Sequence, residues 1–173
     1  AVALALSRVL LLARPRLLGL ALARLGRYDE AVRSLSRAID LGIRDFDTWN
    51  FRGLGYVELR EFSAALRDFD KALGTNQHNH IAFNNRGLTF SRQGDQRAAI
   101  EEYNRAIVLK PDYALAYNNR GFSYQLFDKH TLAIADYCKA LNIDPHHKLA
   151  RQNLNILGGV TKCRKIPGGT GTE

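Results

Sequence analysis

The sequence has little cysteine, because only Cys138 and Cys163 occur among its 173 residues. Two cysteines cannot form the disulfide framework of a small secreted domain, so we expect an intracellular, reducing compartment, the cytoplasm or an organelle matrix. Cys138 falls in an apolar helical pattern and is predicted to be a small packing residue. Cys163 lies in the run K-C-R-K, whose positive charges would lower its thiol pKa. It is therefore predicted to be a reactive thiol, though not a catalytic one.

The sequence also lacks the motifs of catalysis and cofactor binding. It contains no Gly-rich phosphate loop, no Ser/His/Asp set and no paired carboxylates at one site. His78 and His80, like His146 and His147, fall in predicted turns without cysteine or acid at ligand spacing, so they are read as solvated loop residues. We therefore expect a protein that is not an enzyme and that has no cofactor and no metal.

Acidic residues are missing before Asp29, and methionine does not occur at all, so we expect a trimmed chain or a piece of a longer one. Residues 1–28 are rich in Ala, Leu and Arg, which resembles the composition of an organellar transit peptide. The alternative, which we favour, is that they belong to the first Leu-rich helical pair of a repeat array. Arg8, Arg14 and Arg16 interrupt the apolar run, so no membrane span is predicted.

The formal net charge of +8 is concentrated toward the two ends of the chain. Basic residues outnumber acidic ones in 12–45 and in 148–173, whereas 46–147 is close to neutral. A solenoid that follows nucleic-acid phosphates would need Lys and Arg in every segment, because each phosphate contact releases counterions locally. The charge pattern therefore argues against nucleic-acid binding along the whole chain.

What the sequence does contain is a repeat. The segment A-F-N-N-R-G at 82–87 returns as A-Y-N-N-R-G at 116–121, and this step of 34 residues indicates a repeat array. Small residues align at the same step, which lets two helices approach closely. They are Gly19, Gly53, Gly87 and Gly121, then Ala31, Ala65, Ala99 and Ala133, then Ala38, Ala72, Ala106 and Ala140. Large residues align beside them at Trp49, Phe83 and Tyr117, at Tyr56, Phe90 and Tyr124, and at Leu35, Phe69, Tyr103 and Tyr137.

Apolar residues recur at three- and four-residue spacing within each unit, which indicates two helices per unit. Gly and Pro mark the loops between them. We predict helices over 14–25, 28–41, 46–59, 62–73, 80–93, 96–109, 114–127 and 130–143. The predicted organisation is an N-terminal apolar segment (1–11), four repeats (12–45, 46–79, 80–113 and 114–147), a capping helix (148–157) and a flexible basic tail (158–173).

These columns resemble tetratricopeptide repeats, through W-x-x-R-G-x-x-Y at 49–56, A-x-x-x-F at 65–69 and the closing Pro111. The resemblance covers 12–145. It implies an all-α fold, a right-handed α-solenoid of antiparallel helix pairs with four repeats and a C-terminal capping helix. The first unit departs from the pattern, because Pro15 takes the aromatic column. We expect that helix to begin late, with Pro15 in its first turn, where the missing N–H costs little.

The two ends of the array differ. The run after Pro145 has apolar residues on one face and polar ones on the other, so it is predicted to close the last apolar face. Residues 1–11 are apolar but fit the repeat columns poorly. We expect a preceding part of the protein or a partner chain to cover them.

The resemblance also implies a concave groove, lined by the first helix of each pair, in which tetratricopeptide proteins hold a segment of another protein. An Asn ladder could bond to a peptide backbone there, and apolar residues could supply shallow pockets. The alternative is that the Asn residues merely solvate an exposed face. The predicted groove residues are Asn50, Asn84, Asn118, Asn85, Asn119, Leu54, Leu88, Phe122, Ser91, Gln125 and Arg92.

Some members of the family grip a partner's C-terminal carboxylate through Lys and Arg at the groove columns. Here those columns hold Asn, Leu, Phe, Asp47 and Ile81, so no such clamp is predicted.

In the second, third and fourth repeats, an arginine occupies a column in which the family more often has Leu. In the same three repeats, the residue ahead of the second-helix aromatic column is acidic. The co-occurrence predicts Arg–carboxylate pairs that hold helices together within a repeat or between neighbouring repeats. Ligand binding by these charges is the alternative. The residues are Arg52, Arg86 and Arg120 with Asp68, Glu102 and Asp136.

The sequence therefore predicts a non-enzymatic scaffold that binds a protein or peptide partner in the groove. One alternative is a structural subunit of a large assembly, such as an organellar one, whose basic ends contact neighbouring protein or nucleic acid. Another is a nucleic-acid-binding protein whose basic tail and Arg-rich first unit contact phosphate.

Overall fold

The chain folds into consecutive helix pairs. A computed structural model describes residues 2–159 and Cys163, and it describes side chains from residue 13 onward. Within these residues there are nine α-helices and no strand, which confirms the predicted fold class. The helices are α1 (Val2–Arg24), α2 (Tyr28–Asp40), α3 (Phe46–Glu58), α4 (Phe62–Thr75), α5 (His80–Gln93), α6 (Gln96–Leu109), α7 (Ala114–Leu126), α8 (His130–Ile143) and α9 (Lys148–Ile156).

The first helix is longer than the sequence predicts. It begins at Val2, so Pro15 lies in its interior and the prediction of a late start at Pro15 is wrong. The residues ahead of the proline are rich in Ala and Leu, which favour helix and extend it upstream. A proline inside a helix removes one backbone hydrogen bond. The Ser34 hydroxyl of α2 donates to the Pro15 carbonyl at 2.8 Å and ties this part of α1 to its partner helix.

The side chains of 1–12 lie outside the described part of the chain, so the cover expected over 1–11 stays a prediction. None of the described helices has the length and apolar character that crossing a membrane requires.

The chain divides into two compact units, Ala1–Asn85 and Arg86–Glu173, and α5 contributes residues to both. In the first unit, α2 packs against α1 and α3, and α3 packs against α4. In the second unit, α7 packs against α6 and α8, and α9 packs against α8.

A glycine in the first helix of each pair faces a large side chain in the second. A Cβ at Gly53 would lie 2.8 Å from the Phe69 ring, and a Cβ at Gly121 would lie 2.9 Å from the Tyr137 ring. Real Cβ atoms do not approach other atoms so closely, so the two helices can keep this spacing only with glycine there. The same contact joins Gly19 to Leu35 and Gly87 to Tyr103.

The second unit ends in a small apolar cluster. Leu154 of α9 packs with Ala133, Ile134, Tyr137 and Cys138 of α8, as expected of a capping helix. The chain then turns at Gly158, whose φ of +60° suits glycine, and Gly159 is buried in close contact with Leu154.

Cys163 forms a disulfide with Cys138, with their Cα atoms 5.5 Å apart. The prediction of a reactive thiol at Cys163 is therefore wrong, because the turn after α9 brings this residue back onto α8. The flexible tail predicted for 158–173 is also wrong for Gly159 and Cys163, while 160–162 and 164–173 lie outside the described residues. Because the two cysteines are paired, they do not indicate a reducing compartment, and the compartment stays a prediction.

The glycine contact predicts opposite effects of two Gly→Ala substitutions. Gly53→Ala should lower the free energy of unfolding by about 1–3 kcal/mol, because the new Cβ pushes on the buried Phe69 ring. The matched control is Gly74→Ala in α4, where a Cβ would meet no atom within 4 Å. It should raise stability by about 0.5–1 kcal/mol through helix propensity. Urea unfolding measures both, and equal effects of the two substitutions would contradict the account.

The disulfide predicts a redox-dependent stability. It closes a loop with a sequence separation of 25 residues and so restricts the unfolded chain. Reduction should therefore lower the free energy of unfolding by about 3 kcal/mol. Urea unfolding with and without dithiothreitol measures the difference. Cys163→Ser should match the reduced protein and should not respond to dithiothreitol. Two titratable thiols in the native, oxidised protein would show that the bond does not form.

Candidate partner-binding surface

The Asn column predicted to face a partner is buried. Asn84 is only 1% exposed, and Asn50, Asn85 and Asn118 are also buried, so the expectation that they lie on an open surface is wrong for all four. Each lies on the first helix of a pair. A buried amide needs hydrogen-bond partners, and the neighbouring amides supply them.

The amide contacts run along each unit. In the first, Asn85 Nδ2 donates to Asn50 Oδ1 at 2.9 Å, and Asn84 Nδ2 lies 3.4 Å from Asn85 Oδ1. In the second, Asn118 Nδ2 donates to Asn119 Oδ1 at 3.2 Å. The Asn85–Asn50 bond connects α5 to α3, and the other two bonds join consecutive residues of one helix, so these amides bond to the scaffold itself. Binding of a partner by half-buried Asn119 stays a prediction.

Sequence reasoning missed one member of this set. Asn153 of α9 donates from Nδ2 to Asn118 Oδ1 at 3.3 Å. The signal was present, since Asn85, Asn119 and Asn153 are spaced by the same 34-residue step. The column therefore continues into the capping helix.

Beside the amides of the second unit lies a group of exposed apolar residues, which we call the apolar face. It consists of Leu115, Phe122 and Leu126 on α7 with Leu149 and Ile156 on α9. Spacings of 7 and 11 residues place the members of each helix on one side of it. The two helices are in contact, and the Asn118–Asn153 bond joins them beside these residues. Phe122 is 43% exposed and Ile156 is 72% exposed.

The apolar face carries no charge of its own. Within α7, the charged residue is Arg120, which is bound to Asp136. Within α9, Lys148 and Arg151 are rotated away from the line through Leu149 and Ile156 by the helical period. A ligand in contact with this surface would therefore meet hydrocarbon and no charged group.

The first unit differs from the second in this respect. Arg16 of α1 forms ion pairs with Asp45 at 2.8 Å and with Asp47 at 3.1 Å. The Arg24 guanidinium lies 5.5 Å from the centre of the Phe51 ring. Sequence reasoning missed these contacts, because the first repeat departs from the column pattern. An uncharged apolar face of this kind is thus a feature of the second unit.

The remaining predicted groove residues have mixed surroundings. Ser91 Oγ donates to Gln96 Oε1 at 2.9 Å, and Gln125 Oε1 accepts from the Tyr137 hydroxyl at 2.8 Å, so both connect the helices of a pair. Leu54 packs against the cluster that contains Phe69. Leu88 is half-buried and Arg92 is exposed.

The three predicted Arg–acid pairs are brought together between the helices of each pair. Arg52 donates to both oxygens of Asp68 at 2.6 and 2.8 Å, and Arg120 donates to both oxygens of Asp136 at 2.8 and 2.7 Å. Arg86 lies 3.4 Å from the Glu102 carboxylate. The forked geometry of the first two matches the bidentate pairing that guanidinium favours.

Each well-formed pair also reaches the preceding helix. Arg52 Nη1 donates to Ser36 Oγ of α2 at 3.0 Å, and Arg120 Nη1 donates to Asn104 Oδ1 of α6 at 2.6 Å. Both guanidinium groups lie within 6 Å of two ring centres, which explains why aromatic columns flank the arginine column. The rings are Trp49 and Tyr56 for Arg52, and Tyr117 and Tyr124 for Arg120.

Burial raises the pKa of the Asp136 carboxyl above its ordinary value, and the Arg120 guanidinium opposes that rise. The charged form of Asp136 thus depends on its arginine. Among the described residues, no group of three or more His, Cys, Asp or Glu is placed to hold a metal ion.

This dependence predicts a pH-sensitive defect. Arg120→Leu should lower the free energy of unfolding at pH 7 by about 2–4 kcal/mol, because it leaves a buried carboxylate unpaired. Without Arg120 the folded-state pKa of Asp136 rises further above its unfolded value, so the folded state gains a proton as the pH falls. The loss of unfolding free energy caused by Arg120→Leu should therefore be smaller at pH 5 than at pH 7. Arg120→Leu with Asp136→Asn is the control and should lack this pH dependence; a defect of equal size at both pH values would contradict the pairing.

Comparison with known proteins agrees with this architecture. Family models described as "TPR repeat" and "Tetratricopeptide repeat" match residues 92–126 and 114–147, and a further tetratricopeptide repeat model matches residues 16–46. No curated protein matches the chain.

Solved structures show the same fold. The crystal structure of MamA matches with a TM-score of 0.70 and 24% identity, covering 78% of each chain. YrrB, described as a TPR protein with an unusual peptide-binding site, matches with a TM-score of 0.68 and 23% identity, covering 79% of this chain and 71% of its own. The first TPR of Spaghetti (RPAP3), bound to the HSP90 peptide SRMEEVD, matches with a TM-score of 0.62 and 21% identity, covering 68% and 93%. The repeat period, the helix pairs and these matches together show that the chain belongs to the tetratricopeptide repeat proteins.

Proposed function

We propose that this chain is a non-enzymatic protein-interaction scaffold whose apolar face binds an uncharged, amphipathic segment of a partner protein. The observation that carries the proposal is the exposure of five large apolar residues on two adjacent helices of the second unit. Contiguous exposed apolar surface of this kind marks interaction sites in soluble proteins.

The composition of the face sets the chemistry of the partner. Phe122 and Leu126 would supply most of the binding free energy, since aromatic and aliphatic anchors near the centre of an interface dominate affinity. Full burial of such side chains contributes about 1.5–3 kcal/mol each. A partner carboxylate would lose its hydration here without gaining a cation, which is costly. An apolar segment with neutral polar flanks therefore fits best.

Similar structures support a peptide-binding role but differ in chemistry. RPAP3 was solved with SRMEEVD, a peptide with three acidic residues. In this chain the columns that would hold Lys and Arg for such a peptide contain Asn, Leu and Phe, together with Asp47 and Ile81. We therefore propose a partner that is neither acidic nor recognised by its C-terminal carboxylate.

A peptide-display selection tests the proposal. Fifteen-residue peptides selected on the intact chain should be apolar and nearly uncharged, and Phe122→Ser combined with Leu126→Ser should weaken their binding at least tenfold in fluorescence anisotropy. The matched control is Val108→Ser on α6, which removes an apolar side chain that is 78% exposed elsewhere in the same unit. It should leave affinity unchanged.

Two results would contradict the proposed function. One is equal binding of the selected peptides to the double variant and to the unsubstituted chain. The other is binding of SRMEEVD with higher affinity than the selected apolar peptides, since that would require cations that the apolar face lacks.

A further inference from the structure

A second exposed surface lies on α1, in the first unit. Leu18 and Ala21 lie on one side of α1, and Leu25 follows four residues later, just past the end of the helix, where its N–H still bonds to the Ala21 carbonyl at 3.1 Å. Leu18 is 56% exposed and Leu25 is 72% exposed. We call these three residues the α1 stripe. None of them belongs to the apolar face.

The repeat shows what normally covers such a stripe. One step of 34 residues leads from Leu18 and Ala21 to Arg52 and Gly55 of α3, which α2 covers. A Cβ at Gly55 would lie 2.8 Å from the Val32 side chain, and Arg52 bonds to Ser36. Val32 and Ser36 are four residues apart and so lie on the same side of α2.

The second unit repeats this arrangement. The corresponding residues of α7 are Arg120 and Ser123, and α6 covers them. Arg120 bonds to Asn104, and Ser123 is fully buried. The cover is therefore the same twice: an amphipathic helix that presents a polar acceptor to the arginine.

The α1 stripe occupies the same repeat positions as this interface, but it lacks the arginine. Leu18 takes the position of Arg52 and Arg120, so a hydrogen-bond acceptor on a covering helix would have no donor at this position. An apolar residue in place of Ser36 or Asn104 would bury Leu18 instead. The exposed Arg14 lies one turn before Leu18 on α1. On an antiparallel covering helix, the residue opposite Arg14 comes one turn after the residue opposite Leu18, and an acid there could pair with Arg14.

From this continuity we propose that the α1 stripe binds an amphipathic helix of a partner protein, antiparallel to α1. The helix carries apolar residues at positions i and i+4 and an acid at i+8. It would stack on α1 as α2 stacks on α3, and would lengthen the first unit by one helix.

A helical peptide made from this chain's own cover tests the proposal. The probe has the sequence of residues 28–41 with Ser36→Leu to meet Leu18 and Leu35→Gln for solubility. It keeps Val32 and Asp40 at positions i and i+8. A hydrocarbon cross-link between positions 33 and 37, both exposed in the chain, holds it helical, and circular dichroism verifies this. The matched control peptide carries Ser36→Lys instead.

We expect saturable binding of the probe by fluorescence anisotropy, weakened at least tenfold by Leu18→Glu in the chain and about threefold by Arg14→Glu. The control peptide should bind at least tenfold more weakly than the probe. Since Leu18 is exposed, the variant should keep its helical circular dichroism. Phe122→Ser with Leu126→Ser should not affect probe binding, which separates this surface from the proposed peptide site.

Three results would overturn the proposal. The first is no saturable binding of the helical probe up to its solubility limit. The second is equal affinity for the chain and for Leu18→Glu. The third is a dimer of the chain in sedimentation that Leu18→Glu dissociates, which would assign the α1 stripe to a second copy.

Discussion

The contact between a glycine in one helix and a buried ring in the next determines how closely the two helices of a pair approach. Gly53 against Phe69 and Gly121 against Tyr137 leave no room for a Cβ atom. At that spacing a guanidinium on the first helix can reach a carboxylate on the second, as Arg52 reaches Asp68 and Arg120 reaches Asp136. The glycine column therefore makes the arginine column possible.

The polar residues between the helices serve the scaffold, and this decides which residues remain for a partner. Asn84 and Asn118 are enclosed and bond to neighbouring amides. The arginines are held by acids and by aromatic rings. What the second unit leaves exposed beside its amides is hydrocarbon, at Phe122 and Leu126. The apolar, uncharged character of the proposed partner follows from this exposed hydrocarbon.

The sequence predicted the helix pairs and the Arg–acid contacts well, because both depend on spacing along one repeat. The sequence-based predictions were wrong for features that depend on how closely separate helices or segments approach each other. The burial of Asn118 requires knowing how near α9 comes, and residue types alone do not give that. Cys138 and Cys163 meet only because the chain turns back at Gly158. Pro15 lies mid-helix because upstream residues extend α1, which its place in a repeat column could not show.

The most direct test of the account is an NMR titration that follows two sets of side chains at once. A selected apolar peptide would be added to labelled protein, while the side-chain amide signals of Asn118 and Asn153 and the methyl signals of Leu126 and Ile156 are recorded. The account predicts saturable shifts of the methyl signals, with the two amide signals retaining their positions and slow exchange with water. Shifts of the amide signals with unchanged methyl signals would contradict it, because the Asn column and not the apolar face would then contact the partner.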